Sequence, residues 1–161
     1  MDKTEIRPIK QIDDPAIAAI IRDVMTEFGA VGEGYSIVDA EVDAMTAAYA
    51  GPDAAYFVAS LDGVVVGGAG IGPLEGGPAG VCELKKMYLR EHARGHGLGR
   101  RLMRHTLDAA REAGYERCYL ETLEQMSDAR RLYQLNGFVP LNEPMGNTGH
   151  CRCNGWFIKK L

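Results

Sequence analysis

Long apolar runs are missing from this sequence of 161 residues. Its most apolar stretch, VVVGGAGIG, is short and rich in glycine, whereas a membrane-spanning helix needs about 20 consecutive apolar residues. The beginning of the chain, MDKTEIRPIK, carries acidic side chains and lacks the apolar segment of a secretory signal. We therefore expect a cytoplasmic protein with no membrane partner.

Paired cysteine motifs are also missing. The four cysteines are Cys82, Cys118, Cys151 and Cys153, and none of them forms a CxxC pair. Two of them lie in segments that are typical of buried strands, so reduced cysteines are expected rather than a disulfide framework. His150 stands beside Cys151 and Cys153, residue types found in zinc sites and nucleophilic centres. Because no second cluster stands at ligand spacing, we expect no metal.

Positive charge is not in excess either. The chain has 18 Lys and Arg against 22 Asp and Glu, which gives a formal net charge of −4 at pH 7. Nucleic-acid-binding domains usually present a basic surface, so this balance argues against a nucleic-acid partner and favours a cationic or small ligand. With 46% hydrophobic and 25% charged residues, the composition is that of a globular protein, and the length predicts a single domain over residues 1–161.

Strand and helix patterns are mixed along the whole chain. Apolar residues at helical spacing predict three helices, in DDPAIAAIIRDVMTEFG, GLGRRLMRHTLDAAREAG and SDARRLYQLN, the last with Ser127 as its cap, and a weaker helix in IVDAEVDAMTAAYAG. Strands are predicted in TEIRPIK, CELKKMYLR, ERCYLET, FVPL and CNGWFIKKL, and a hairpin with its turn at Asp62 and Gly63 is predicted in YFVASLDGVVVGGAGIG. The alternation indicates one α/β (α+β) domain.

The segment ARGHGLGRRLM, residues 93–103, places three glycines and three arginines where a helix is predicted to begin. A helix N-terminus carries about half a positive charge, so arginines there call for a nearby anion. A glycine-rich turn between a strand and a helix presents free amides to phosphate groups. The Walker pattern GxxxxGK[ST] is absent. The Rossmann pattern GxGxxG is broken, because Arg100 occupies the position of its third glycine.

A different pattern fits this loop. Arg94, Gly97 and Gly99, after a strand that ends MYLR, resemble the Q/R-x-x-G-x-G/A motif of the GNAT superfamily of acyl-CoA-dependent N-acetyltransferases. The order of helix, hairpin, ELKKMYL strand, glycine loop, YLET strand and ARRLYQLNGF is similar to that family over nearly the whole chain. The resemblance implies the GNAT fold, a mixed, mostly antiparallel sheet of about seven strands with helices on both faces. It also implies acetyl-CoA as the co-substrate.

The resemblance assigns the coenzyme A contacts. In the family, loop amides hold the pyrophosphate and the preceding strand pairs with the pantetheine arm. By resemblance the pyrophosphate residues are Arg94, Gly95, His96, Gly97, Leu98, Gly99 and Arg100. The pantetheine residues are Met87 and Leu89, and an amide near Met87 or Tyr88 polarises the thioester carbonyl.

Candidates for the proton transfers also follow from the resemblance. Tyr133 in RRLYQLNGF matches the tyrosine that serves many family members as the general acid near the sulfur. Glu83 in CELKKMYL is the first choice for the base that accepts the amine proton, and Glu121 in YLET is the second. Met126 departs from the family pattern, because many members carry an asparagine seven residues before the tyrosine.

The acceptor side is expected at GAVGEGYS and PMGNTGHCRCNGW. Candidate acceptor-binding residues are Glu33, Tyr35, Glu121 and His150. The predicted function is transfer of the acetyl group of acetyl-CoA to a primary amine of a small molecule or peptide. Two alternatives stay open, a noncatalytic acyl-CoA sensor or interaction module, and a protein that binds a nucleotide or phosphometabolite at the same helix end. Exposed edge strands also leave a homodimer open.

Overall fold

The computed structural model of the chain describes residues 3–161. The described strands are β1 (Thr4–Pro8), β2 (Ala55–Leu61), β3 (Val64–Pro73), β4 (Val81–Leu89), β5 (Arg117–Thr122), β6 (Val139–Leu141) and β7 (Gly155–Lys160). The described helices are α1 (Asp14–Glu27), α2 (Met45–Ala48), α3 (Leu98–Glu112) and α4 (Ser127–Leu135).

These strands form one sheet in the order β1-β2-β3-β4-β5-β7-β6. Within the described part of the chain, β4 and β5 are parallel, and every other neighbouring pair is antiparallel. The parallel register joins only residues 81–83 to residues 117–119, so the two strands separate beyond that point. The predicted mixed, mostly antiparallel sheet of seven strands is confirmed, and its opening lies in the middle of the sheet.

Helices cover both faces of this sheet. Successive side chains of a strand point to opposite faces. On β2, Tyr56 and Val58 belong to the core that includes α1, whereas Phe57 and Ala59 pack with residues of α3. The α3 side chains that meet this face include Leu98 and Leu102, both almost fully buried, as the apolar stripe in the sequence predicts. No helix within residues 3–161 has the length and apolar character needed to cross a membrane.

Local signals located most elements well. The hairpin turn lies at Asp62 and Gly63, which both adopt positive φ (51° and 82°), as an Asp-Gly hairpin requires.

The four cysteines are free, with Cys82 and Cys118 buried on the paired ends of β4 and β5.

The predicted second helix is not continuous. It is replaced by two short 3-10 turns, Ser36–Val38 and Ala40–Asp43, followed by the single-turn α2. Asp39 lies between the turns with an extended backbone (φ −60°, ψ 134°). Its carboxylate is bound by Lys86 and His150, and these tertiary contacts replace regular helix geometry.

The prediction that Ser127 caps α4 is wrong. Ser127 is the first residue of the helix, Met126 occupies the cap position, and no side-chain hydrogen bond caps the helix. Met126 is largely buried instead, so apolar packing rather than a capping hydroxyl determines where this helix starts.

Candidate active site

The separation of β4 from β5 leaves two adjoining cavities. The outer cleft, about 420 Å³, lies between the glycine loop and the start of α4. The inner chamber, about 60 Å³, lies between β4, β5 and the loop that carries His150. Met87, Tyr88, Met126 and Tyr133 line both. A molecule that occupies both cavities therefore passes Tyr133.

Backbone geometry makes the outer cleft suitable for an anion. Gly95 and Gly97 have left-handed φ values of 81° and 77°, and Gly97 directly precedes α3. The first amides of a helix lack partners within the helix and are available to a ligand. A Cβ added to Gly99 would lie 3.1 Å from Leu132 Cδ2, so this glycine lets α4 pack closely on the start of α3.

Arg94 requires a correction to the charge argument. Its guanidinium forms two hydrogen bonds with the Glu27 carboxylate, at 2.7 and 3.0 Å, and its Nε donates to the Leu89 carbonyl oxygen at 3.0 Å. It also lies 5.5 Å from the centre of the Phe28 ring. The protein itself thus balances this positive charge. Arg100 is exposed and lines the cleft, so the electrostatic case for a bound anion applies to Arg100 rather than Arg94.

A bulge interrupts β4 between the two cavities. Lys86 has a positive φ of 51°, and the register with β3 shifts so that Gly68 faces Tyr88 while Gly70 faces Lys85. A lysine in this conformation is strained, and it keeps the conformation only where the surrounding structure holds it. The Tyr56 hydroxyl holds it by donating a 2.7 Å hydrogen bond to the Lys86 carbonyl oxygen.

The Lys86 ammonium is also held. It is buried and donates to Asp39 Oδ2 at 2.6 Å and to Glu41 Oε1 at 3.0 Å. A buried lysine needs such partners, because an unpaired charge in the interior is costly. The β4 bulge is therefore tied to the segment between α1 and α2 just before the backbone reaches Met87 and Tyr88.

Glu83 lies in the inner chamber with no hydrogen bond to its carboxylate from any described residue, and it is only 5% exposed. Burial raises the pKa of Glu83 to about 7, with the positive charge of Lys85 acting against the rise and the negative charge of Glu121 adding to it. A carboxyl group with a pKa near neutrality is suited to accepting and releasing protons.

Glu121 has a different environment on the neighbouring strand. The hydroxyls of Tyr119 (2.7 Å) and Thr148 donate to its carboxylate, and His150 Nδ1 lies 3.5 Å away. Although burial acts in the opposite direction, these donors hold the pKa of Glu121 below its usual range. Glu121 is thus held in the ionised form, whereas the pKa of Glu83 lies near neutrality.

His150 lies between two carboxylates. Its Nε2 is 3.0 and 2.8 Å from the two carboxylate oxygens of Asp39, and its Nδ1 faces Glu121. Burial lowers the pKa of His150, but the hydrogen bonds and charges of both carboxylates outweigh it and raise that pKa to about 9. The ring is therefore an imidazolium at neutral pH.

Three side chains of the chamber are close enough to hold a metal. One atom each of Glu83, Glu121 and His150 lies within 4.8 Å of the others. A protonated imidazole has no lone pair for a cation, and metal binding requires the neutral ring. A metal at this cluster would therefore have to displace a proton from His150, whose other ring nitrogen is bound to Asp39.

Tyr133 connects the chamber to the cleft. The side chain is buried, and its ring lies 6.0 Å from Phe138 and 6.1 Å from Phe157, measured between ring centres. Burial raises the pKa of its phenol above the ordinary value of 10, so the hydroxyl stays protonated at neutral pH. Thr122 also lines the chamber, and its Oγ1 is buried without a hydrogen-bond partner among the described residues. An unpaired buried hydroxyl indicates a place for a polar ligand or water.

The sequence profile of the acetyltransferase (GNAT) family matches residues 18–138. The chain belongs to the GNAT family. The uncharacterized N-acetyltransferase YjgM of Escherichia coli (strain K12) is 41% identical over 150 residues, which cover 92% of this chain and 90% of that protein. The family membership and these N-acetyltransferase relatives make the chain an acyl-CoA-dependent acyltransferase.

Solved GNAT structures are similar over nearly the full length. An acetyltransferase of the family from Staphylococcus aureus Mu50 superimposes with a TM-score of 0.83 at 16% identity, covering 99% of each chain. The structure of yncA from Salmonella typhimurium with acetyl-CoA has a TM-score of 0.76 at 24% identity, covering 98% of this chain and 94% of that one. The predicted GNAT fold is therefore confirmed.

The GNAT fold places most of the predicted coenzyme A residues along the outer cleft. Those lining it are Met87, Tyr88, Leu89, Arg94, Gly95, Gly97, Gly99 and Arg100. His96 and Leu98 do not line it: His96 is exposed, and the Leu98 side chain is buried in the core. Leu98 therefore has only its main-chain groups to offer to a ligand.

The predicted acceptor residues divide into two groups. Glu121 and His150 lie in the inner chamber of this GNAT protein, together with Glu83. Glu33 and Tyr35 do not line it: Glu33 is exposed, and the Tyr35 ring lies under the Arg152 guanidinium at 5.0 Å. Their assignment to the acceptor side stays a prediction, and the residue of this segment that lines the chamber is Ser36.

Sequence reasoning missed Lys86 and Asp39. A lysine with positive φ has no local sequence signal, and nothing near Asp39 distinguishes it from other acidic residues. The glycines of β3 did carry information, because glycine inside a strand often marks a bulge or a close contact. A Cβ on Gly68 or Gly70 would lie 2.5 Å from the Tyr56 ring, the residue that holds the bulge.

Proposed function

We propose that this GNAT protein transfers the acetyl group of acetyl-CoA to a primary amine by direct attack, with Glu83 as the base and Tyr133 as the acid. The observation that carries the proposal is the placement of Tyr133 at the junction of the two cavities, with the unpaired carboxyl of Glu83 inside the inner one. The solved yncA structure, which contains acetyl-CoA, supports the same co-substrate here.

Acetyl-CoA fits the outer cleft by charge and shape. The pyrophosphate would meet the first amides of α3 and the Arg100 guanidinium, because these groups line the cleft beside two left-handed glycines. The pantetheine arm would follow the end of β4 at Met87 and Leu89, in the manner of an added strand. The acetyl group then reaches Tyr133, where the cleft meets the chamber.

The reaction needs two proton movements. The amine nitrogen attacks the thioester carbonyl carbon, a C–N bond forms, and the C–S bond breaks. The nitrogen loses a proton to the Glu83 carboxylate, and the leaving sulfur takes the proton of the Tyr133 hydroxyl, which solvent then restores. A backbone amide at Met87 or Tyr88, just after the bulge, would stabilise the developing oxyanion.

Glu83 is preferred to Glu121 as the base. Glu121 already accepts from Tyr119 and Thr148 and faces the His150 imidazolium, so accepting a further proton would break existing interactions. Glu83 has no such partners, and burial has raised its pKa to about 7. Such a base can accept a proton from the amine and release it to water near neutral pH.

Calorimetric titration with acetyl-CoA, with ATP as the comparison, tests the cleft. Thiol release across a panel of primary amines then tests transfer. We expect selective binding of acetyl-CoA and amine-dependent thiol release. Glu83→Gln should lower that release about 100-fold or more, while Glu112→Gln, at an exposed position on α3, leaves it unchanged. Binding without thiol release from any amine would contradict transfer and favour an acyl-CoA sensor.

A further inference from the structure

Two loops close the inner chamber, and they contact each other directly. The Arg152 amide donates to the Gly34 carbonyl oxygen at 3.1 Å, and the Arg152 guanidinium covers Tyr35. Behind this contact, Asp39 from one loop binds His150 from the other through both carboxylate oxygens. We refer to the Asp39 and His150 pair as the clasp.

The clasp is part of a continuous chain of charges. Asp39 Oδ2 accepts from the Lys86 ammonium on the β4 bulge as well as from His150, and His150 faces Glu121 on β5. One carboxylate therefore connects the strand that borders the outer cleft to the loop that covers the inner chamber. The imidazolium is shared by two carboxylates, and Glu83, the third carboxyl nearby, has no hydrogen bond from the described residues.

We propose that His150 is a positioning residue of the chamber: clasped by Asp39, it holds Glu121 in the ionised form and presents a fixed positive charge to Glu83, which leaves Glu83 as the group that exchanges protons. The catalytic use of the Glu83 proton rests on the proposed function. The arrangement of the charges and the proton occupancy of each group are independent of turnover.

The charges around Glu83 come from every element that packs against it. Its own strand contributes Lys85 and Lys86, β5 contributes Glu121, and the covering loop contributes His150. Asp39 and Glu41 lie behind Lys86 and compensate its charge, and the nearby phenols of Tyr49, Tyr88 and Tyr119 have pKa values raised by burial and stay neutral. Lys85 is itself paired with Glu41 Oε1 at 3.5 Å. The positive charges that oppose protonation of Glu83 are, in decreasing order of effect, those of Lys85, His150 and Lys86, and His150 is the one that also lowers the pKa of Glu121.

Carboxyl carbon NMR titration of the whole protein tests this without any acceptor. The signals of Glu83 and Glu121 are assigned by their absence from the Glu83→Gln and Glu121→Gln spectra. We expect the wild-type Glu83 signal to titrate near pH 7 and the Glu121 signal to titrate below the usual range of a glutamate, because the His150 charge and the donated hydrogen bonds lower its pKa.

In His150→Gln, which keeps hydrogen bonding but removes the charge, the two carboxyls should behave as a coupled pair. The pair should take up its first proton about one pH unit higher than the wild-type Glu83 does, and Glu121 should begin to titrate in the same range. His105→Gln, at an exposed position on α3, is the matched control and should leave both signals unchanged. An unshifted Glu83 titration in folded His150→Gln protein would overturn the proposal.

A second variant guards against misfolding of the first. In Asp39→Asn the His150 imidazole signal should titrate clearly below the wild-type midpoint of about 9, because one of its two carboxylate partners is lost. An unchanged His150 midpoint would also overturn the proposal, since the clasp would not be the source of the charge. Absence of thiol release with any amine would contradict the proposed function but would not alter these titrations, so the two failures are distinguishable.

Discussion

Tyr133 shows how one side chain combines packing with proposed chemistry. Its ring belongs to the core with Phe138 and Phe157, while the residue lines both cavities. Packing alone would be satisfied by phenylalanine, so removal of the hydroxyl separates the two roles.

Tyr133→Phe should lower kcat about 100-fold while the acetyl-CoA Kd and Tm stay close to wild type, because only the proton donor is lost. The measurement is thiol-release kinetics together with calorimetry and thermal unfolding. Tyr115→Phe is the control, since that hydroxyl donates to the Asp53 carbonyl oxygen at 2.7 Å and Tyr115 lines neither cavity. Equal kcat in Tyr133→Phe and wild type would show that Tyr133 only packs in the core and is not the proton donor.

At the scale of elements, α3 offers a matched pair of glycines at its two ends. Gly97 precedes the helix with φ 77°, and Gly114 follows it with φ 91°. A Cβ added at either position meets no atom within 4 Å. Both positions therefore impose the same kind of backbone strain on a side chain, but only Gly97 lines the outer cleft.

Gly97→Val and Gly114→Val should each destabilise the fold by about 1–2 kcal/mol, because a β-branched residue is strained at positive φ. Only Gly97→Val should weaken acetyl-CoA binding, by about tenfold or more, since the strain is relieved by moving the amides that bind the anion. Urea unfolding and calorimetry measure the two effects. Equal affinity in both variants would contradict an anion site at the start of α3.

At the scale of the whole molecule, Glu83 imposes a stability cost that depends on pH. Its pKa is about 7 in the folded protein against an ordinary 4.5, so the folded state holds the proton more tightly than the unfolded chain does. The favourable contribution of this proton is complete below about pH 4.5 and is lost as the pH rises through 7. The buried carboxylate of Glu83 therefore destabilises the protein at alkaline pH.

The free energy of unfolding of Glu83→Gln, relative to that of wild type, should be larger at pH 9 than at pH 5. We expect this gain to be at most about 3 kcal/mol, because the neutral amide does not ionise. Urea unfolding at the two pH values gives the free energies of unfolding. The exposed Glu112→Gln variant should show no pH-dependent gain. A constant difference between Glu83→Gln and wild type across this range would indicate that Glu83 has an ordinary pKa.

Much of this fold follows from short-range sequence signals. The apolar period of α1 and α3, the Asp62-Gly63 turn and the glycines before α3 all act within a few residues of themselves, so the sequence predicts them well. The glycine loop and Tyr133 were identified for the same reason, through patterns that occupy one continuous segment. The stretch from Ser36 to Ala48 failed because Asp39 forms tertiary contacts that replace helix geometry.

The sequence by itself determined the order of the elements, the GNAT resemblance and the glycine loop, because each depends on neighbours along the chain. Only the tertiary structure decided the charge states of the chamber. Asp39 reaches Lys86 across 47 positions and His150 across 111, and Arg94 reaches Glu27 across 67. The pKa of a side chain depends on burial and on charges within a few ångströms, and folding alone brings those charges together.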